Sequence, residues 1–193
     1  MQKRTINFYT FAKFYLNILD YLAKYTIPFK GLKDGKHEFD FTIDQKFFEQ
    51  FQTEDVYQVE ANVKISFEKK TLVMSLKFEL DGRMNVACDR CLDQLELDVK
   101  GENFLYVKFG EEHEELAEDV IVLSESENEI NVAQYIYELF SLSLPLSFVH
   151  PEDKDGNSTC NEKMIQKLND LSVNEDEKID PRWDDLRKLI DNK

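Results

Sequence analysis

Apolar and polar residues alternate along three central stretches of the chain. Val63, Ile65 and Phe67 do so within residues 56–68, and Leu72, Met74, Leu76, Phe78 and Leu80 within 71–87. Within 94–109 the apolar positions are Leu95, Leu97 and Val99, then Phe104, Tyr106 and Phe109. A period of two puts one set of side chains on one face of a strand, which predicts half-buried β-strands in an antiparallel arrangement. Upstream, Phe29 to Ile43 combines Gly-punctuated turn chemistry with alternation at Phe39, Phe41 and Ile43, and reads as strand, turn, strand. Asp44 then offers a carboxylate to the free amides of a short helix through Phe51.

Elsewhere the spacing is helical. Ile6, Tyr9, Phe11, Phe14, Tyr15, Ile18, Leu19 and Leu22 recur every three or four residues, predicting a helix over 4–23. Val132, Tyr135, Ile136, Leu139 and Phe140 share a face of a second helix that starts at Asn131 and stops before Pro145. Residues 169–179 are rich in Asp, Asn, Glu and Ser and read as a polar linker. Asp180, Pro181, Arg182 and Trp183 then supply a cap, a first-turn proline and, with Leu186, the start of an apolar stripe. The expected organisation is an N-terminal helical extension (1–24), an α+β domain (25–168), and an acidic linker with a C-terminal helix (169–193). The expected fold is α+β: a mainly antiparallel β-sheet or a partly open barrel, with one packed helix and the C-terminal helix.

Composition narrows the function. The 193 residues carry 24 Lys and Arg against 39 Asp and Glu, a net charge of −15, which opposes general attraction to nucleic-acid phosphates. Residues 111–130 hold nine acidic side chains and no Lys or Arg, interrupted by Val120–Leu123, and read as a solvated loop flanking one short strand. Such surfaces suit a basic partner or serve solubility alone. No uninterrupted apolar run approaches the roughly 20 residues that cross a bilayer, and the N-terminus lacks a continuous apolar signal region. A cytoplasmic protein with no membrane partner is expected.

Three cysteines, an odd number, argue against a secreted disulfide scaffold. Cys88-Asp-Arg-Cys91 lies between two predicted strands, where a tight turn can aim two sulfurs into one volume. Zinc takes about four soft or borderline ligands, so His150 and Cys160 are the natural completion of a site. The competing readings are a redox pair and reduced thiols in a structural hairpin. A thioredoxin-like motif, however, should lead into a helix of a βαβ unit.

Other chemistry is scarce. The six glycines, Gly31, Gly35, Gly82, Gly101, Gly110 and Gly156, exclude a dinucleotide fingerprint and a phosphate loop. Neither a nucleophile elbow nor a His-Glu-x-x-His helix occurs, so no catalytic residues are assigned and an enzyme is not expected. Lys30, Lys33 and Lys36, beside Phe29 and His37, form the densest basic and aromatic cluster. Arg83 and Arg90 offer a further patch for RNA or partner contact.

Taken in order, Cys88-Asp-Arg-Cys91-Leu92, then Leu144-Pro145 with His150 and Cys160, then Asp180-Pro-Arg-Trp-Asp-Asp-Leu186, resemble the YceD family. The resemblance runs from about Tyr25 to Ile190. It implies a non-enzymatic factor for synthesis, processing or stability of 23S ribosomal RNA and for large-subunit assembly. It assigns metal or structural roles to Cys88, Cys91, His150 and Cys160, zinc being the candidate cofactor, and leaves Arg90 as a candidate contact. The implied partner is a large-subunit ribosomal precursor, reached through its RNA or through a basic ribosomal protein. The alternatives are a metal-stabilised interaction module unrelated to ribosomes and a thiol oxidoreductase.

Overall fold

The computed structural model describes residues 21–51, 58–110, 114–117 and 119–172. These fall into two compact units, one of residues up to Ala87 plus Gln94–Phe148, the other of Cys88–Asp93 plus residues from Val149 onward. The C-terminal motif at Asp180–Leu186 lies outside the described residues. So does the helix expected over 4–23, except for its end, where Ala23–Tyr25 form a single 3-10 turn.

The first unit is built on β2 (Gly35–Asp44), β3 (Gln58–Lys69), β4 (Val73–Ala87) and β5 (Gln94–Gly110), each antiparallel to the next. β6 (Glu114–Ala117) and β7 (Val120–Ser124) complete a six-stranded sheet of order β2-β3-β4-β5-β7-β6. A two-stranded sheet pairs β1 (Thr26–Ile27) with β8 (Ile130–Asn131). The main sheet is open, with β2 and β6 at its edges, so the architecture is the sheet form of the α+β expectation and not a closed barrel. The acidic block holds two strands where one was expected, and β7 runs parallel to β5. This happens because Val120–Leu123 reaches the sheet by a crossover that periodicity cannot show.

Alternation decides which face is buried. Val59, Ala61, Val63, Ile65 and Phe67 of β3 point inward, as do Met74, Leu76, Phe78, Leu80 and Met84 of β4. Leu72, expected to share that face, is 79% exposed, because residues 70–72 form the turn between the strands, closed by Lys70 N–H donating to Val73 O. The inward face is covered by α1 (Gln45–Glu49) and α2 (Ala133–Ser143). Asp44 caps α1 by accepting from Phe47 N–H at 3.1 Å, as its position predicted. α2 buries Ala133, Ile136, Leu139 and Phe140, and Phe140 packs its ring 4.5 Å from that of Phe48. Ile136, Leu139 and Phe140 each contribute about 1.5–3 kcal/mol by leaving water. Leu144, extended before Pro145, ends α2. Gly101 lets β5 approach α2, since a Cβ there would overlap the Ser143 hydroxyl and stand 2.9 Å from Leu139 Cδ1.

The second unit has little apolar interior. Its α3 (Glu162–Leu171) buries no residue, and the buried apolar side chains among its described residues are Cys88, Cys91 and Cys160. α3 extends into the stretch that composition reads as linker. Asn161 starts it by accepting from Lys163 N–H and Met164 N–H, a cap the acidic composition masks. No described helix is long and apolar enough to cross a membrane.

Candidate metal centre

The segment joining β4 to β5 is a tight turn. Cys88 N–H donates to Asp93 O and Leu92 N–H donates back to Cys88 O, both at 2.8 Å. Leu92 occupies the left-handed region, φ 63°, a conformation that a bulky residue adopts only under constraint. The reversal brings the sulfurs of Cys88 and Cys91 to the same side of the turn.

The other two groups flank a closed loop. Asp153 accepts from the N–H groups of Asp155 and Asn157 at 2.9 and 2.8 Å, Gly156 takes φ 81°, and Glu152 bridges Ser158. Thr159 Oγ1 donates to Pro151 O at 2.6 Å. The loop is therefore sealed near its base, and His150 and Cys160 leave it side by side despite their separation in sequence. Asn161 Nδ2 donates to Asp93 Oδ2 at 2.9 Å, tying this segment to the cysteine turn.

The four ligand atoms all lie within 4.8 Å of one another. Cys88 Sγ stands 3.8 Å from Cys160 Sγ, and His150 Nδ1 is 3.4 Å from Cys91 Sγ and 3.8 Å from Cys160 Sγ. A tetrahedral zinc with bonds of about 2.3 Å to sulfur and 2.0–2.1 Å to nitrogen requires edges of about 3.8 Å between sulfurs and about 3.6 Å between sulfur and nitrogen. All three thiols are free, and the Cys88 and Cys160 sulfurs at 3.8 Å are in nonbonded contact rather than joined by a disulfide bond of about 2.05 Å. The donor set and its dimensions thus fit a tetrahedral metal held through Nδ1 of His150.

Electrostatics points the same way. Burial pushes the Cys88 thiol up, but backbone N–H groups of Cys91, His150 and Arg90 donate to the sulfur and bring it down to about 6. Cys160 is lowered chiefly by a hydrogen bond with the Ser158 side chain, against its burial. Burial holds the Cys91 thiol above its ordinary value, although the backbone amides of Asn161 and Asp93 oppose this. Two of the three sulfurs are thus shifted toward the thiolate form that a metal ligand takes.

The basic candidates are not one patch. Lys36 opens β2 opposite Glu68, whereas Arg83 lies in register with Glu60 and Asp44 at the far end of that strand, about 26 Å away at 3.3 Å per residue. Arg83 is held by Asp98 at 3.1 Å and Glu96 at 3.5 Å. Arg90 is an exposed member of the cysteine turn, and Lys30 and Lys33 lie in the turn before β2. Phe29 is buried against Phe109, so it cannot stack on a base. His37 is half-buried, with Nε2 2.8 Å from Lys33 O.

An open, mainly antiparallel sheet with a packed helical layer, in a chain that also gathers three thiols and an imidazole, defines an α+β protein with a candidate structural metal site. Residues 76–190 match the family model described as large ribosomal RNA subunit accumulation protein YceD, and the chain belongs to the YceD family. The matched region includes the cysteine turn, the loop between His150 and Cys160, and the C-terminal motif. No curated protein and no solved structure matches the chain.

Proposed function

We propose that this protein is a non-enzymatic cytoplasmic factor that supports synthesis, processing or stability of 23S ribosomal RNA and assembly of the large subunit. The observation that carries this reading is the family match across 76–190, whose description concerns accumulation of that RNA. Within it, Cys88, Cys91, His150 and Cys160 hold one zinc ion as a structural site. Four protein ligands leave no open position for a reactive water, which fits a staple better than a catalyst. Against the thiol-oxidoreductase alternative stands the convergence of a third thiol and an imidazole on the Cys88–Cys91 pair, with Cys160 3.8 Å from Cys88 and His150 3.4 Å from Cys91, an arrangement suited to ligation.

The partner is a large-subunit precursor, met through its RNA or through a basic ribosomal protein. Capture of the tagged full chain from growing cells tests this. Enrichment of large-subunit precursor RNA and proteins over their small-subunit counterparts is expected. A stable complex with an unrelated protein and no ribosomal material would replace the proposal with a general metal-stabilised interaction module.

A further inference from the structure

The solvent face of the main sheet carries an aromatic pair at one end. Phe104 and Tyr106 lie two residues apart on β5, both pointing outward, 43% and 39% exposed, while Leu105 and Val107 between and beyond them are buried. Their cross-strand neighbours on β4 are Lys77 and Ser75, and Ser75 continues in register to Glu68 and Lys36. The short Ser66 and Ser75 side chains leave beside the rings a depression of about 580 Å³, lined also by three lysines, Lys36, Lys70 and Lys77, and by two glutamates, Glu38 and Glu68.

Charge at this end differs from that of the whole chain. Glu38 and Glu68 are neutralised by Lys64 at 3.0 Å and Lys70 at 3.3 Å. Lys77 sits 5.9 Å from the Phe104 ring centroid and is shared between Glu79 and Glu102. Lys36 and Lys108 make no ion pair among the described residues; Lys108 follows Tyr106 two residues on along β5, and Lys36 stands three strands away on β2, about 14 Å at 4.8 Å per strand. Beyond a Debye length of roughly 8–10 Å the distant acidic groups are screened, and the local balance governs what binds.

We propose that this end of the sheet is a stacking platform for unpaired RNA bases, two successive bases lying on Phe104 and Tyr106 with Lys36 and Lys108 reaching the flanking phosphates. Exposed rings at i and i+2 of a strand, about 6.6 Å apart along it, are the arrangement by which an open sheet takes up single-stranded nucleic acid. A basic protein would meet unpaired lysines here and be repelled. That the strand is ribosomal RNA rests on the proposed function, but the platform does not.

The test is fluorescence anisotropy of a labelled single-stranded RNA octamer titrated with the full chain at low salt. Phe104→Ala and Tyr106→Ala should each weaken binding on the order of 5- to 150-fold, the range for losing one base stack. Lys36→Gln and Lys108→Gln should each flatten the salt dependence by about 0.7 in log–log slope. Phe104→Tyr should retain affinity, and Lys100→Gln, toward the opposite end of the sheet face, should leave it unchanged; circular dichroism verifies folding of every variant. No binding by the native chain, equal binding by the folded alanine variants, or equal preference for an RNA duplex overturns the platform. Those failures would leave a ribosomal-RNA phenotype on depletion untouched, so the two readings fail separately.

Discussion

Stripping metal from the purified protein with a high-affinity chelator is expected to unfold Cys88–Asp93 and residues 149–172 while the sheet stays folded. The large core cluster, from Tyr25 to Phe140, is made wholly of residues of the first unit. The second unit buries three thiols and leaves α3 without a buried side chain, far too little apolar burial to order it unaided. A structural zinc supplies on the order of 10–16 kcal/mol at neutral pH. Divided over four ligands, one replacement such as Cys160→Ser removes roughly 2.5–4 kcal/mol, or about 10²–10³-fold in zinc affinity. Hydrogen exchange read by mass spectrometry resolves the two units. Amides of residues 149–171 should exchange freely after chelation and recover protection with one equivalent of zinc, while β3, β4 and β5 keep theirs. A metal-free protein with full protection in 149–171 would refute the metal staple.

Three further outcomes follow from local geometry. Gly101→Ala should lower stability by about 1–3 kcal/mol in thermal unfolding, because the new methyl collides with Ser143 and Leu139 of α2. Leu92→Val should weaken zinc binding and Leu92→Gly should strengthen it, each by about 1 kcal/mol in a competition assay, since only glycine accepts φ 63° without strain. Zinc uptake should release more protons at about pH 6 than at about pH 8. In the metal-free, unfolded segment the thiols return to the ordinary value of about 8.5, so they are fully protonated at the lower pH and partly ionised at the higher. Uptake from weakly buffered solution with a pH indicator measures the difference.

Much of the sheet was legible because a two-residue period leaves little choice once one face is apolar. The strands β3, β4 and β5, the Asp44 cap and the Pro145 stop all lie within a few residues of where the pattern puts them. At β5 parity decides the face and aromatic character misleads. Leu95, Leu97 and Val99 fix odd positions as inward, so Leu105 and Val107 are core and Phe104 and Tyr106 face solvent. Strict alternation through Gly101 is the signal that places the exposed pair.

For the metal centre, residue types were readable but convergence was not. The nine residues between His150 and Cys160 match no compact ligand spacing; what joins the ends is the turn centred on Asp153, Gly156 and Asn157 and the Glu152–Ser158 bridge. The parallel placement of β7 depends on a crossover, and the start of α3 on one asparagine among many polar residues, neither of which periodicity records.

The most direct measurement of the central claim is the ratio of 23S to 16S ribosomal RNA after depletion of this protein during rapid growth. The native chain and the Cys88→Ser variant are then re-expressed in turn. The account predicts a selective fall in 23S RNA, restored by the native chain and restored poorly by the variant that cannot close its metal site. An unchanged ratio on depletion would contradict a role in large-subunit RNA accumulation.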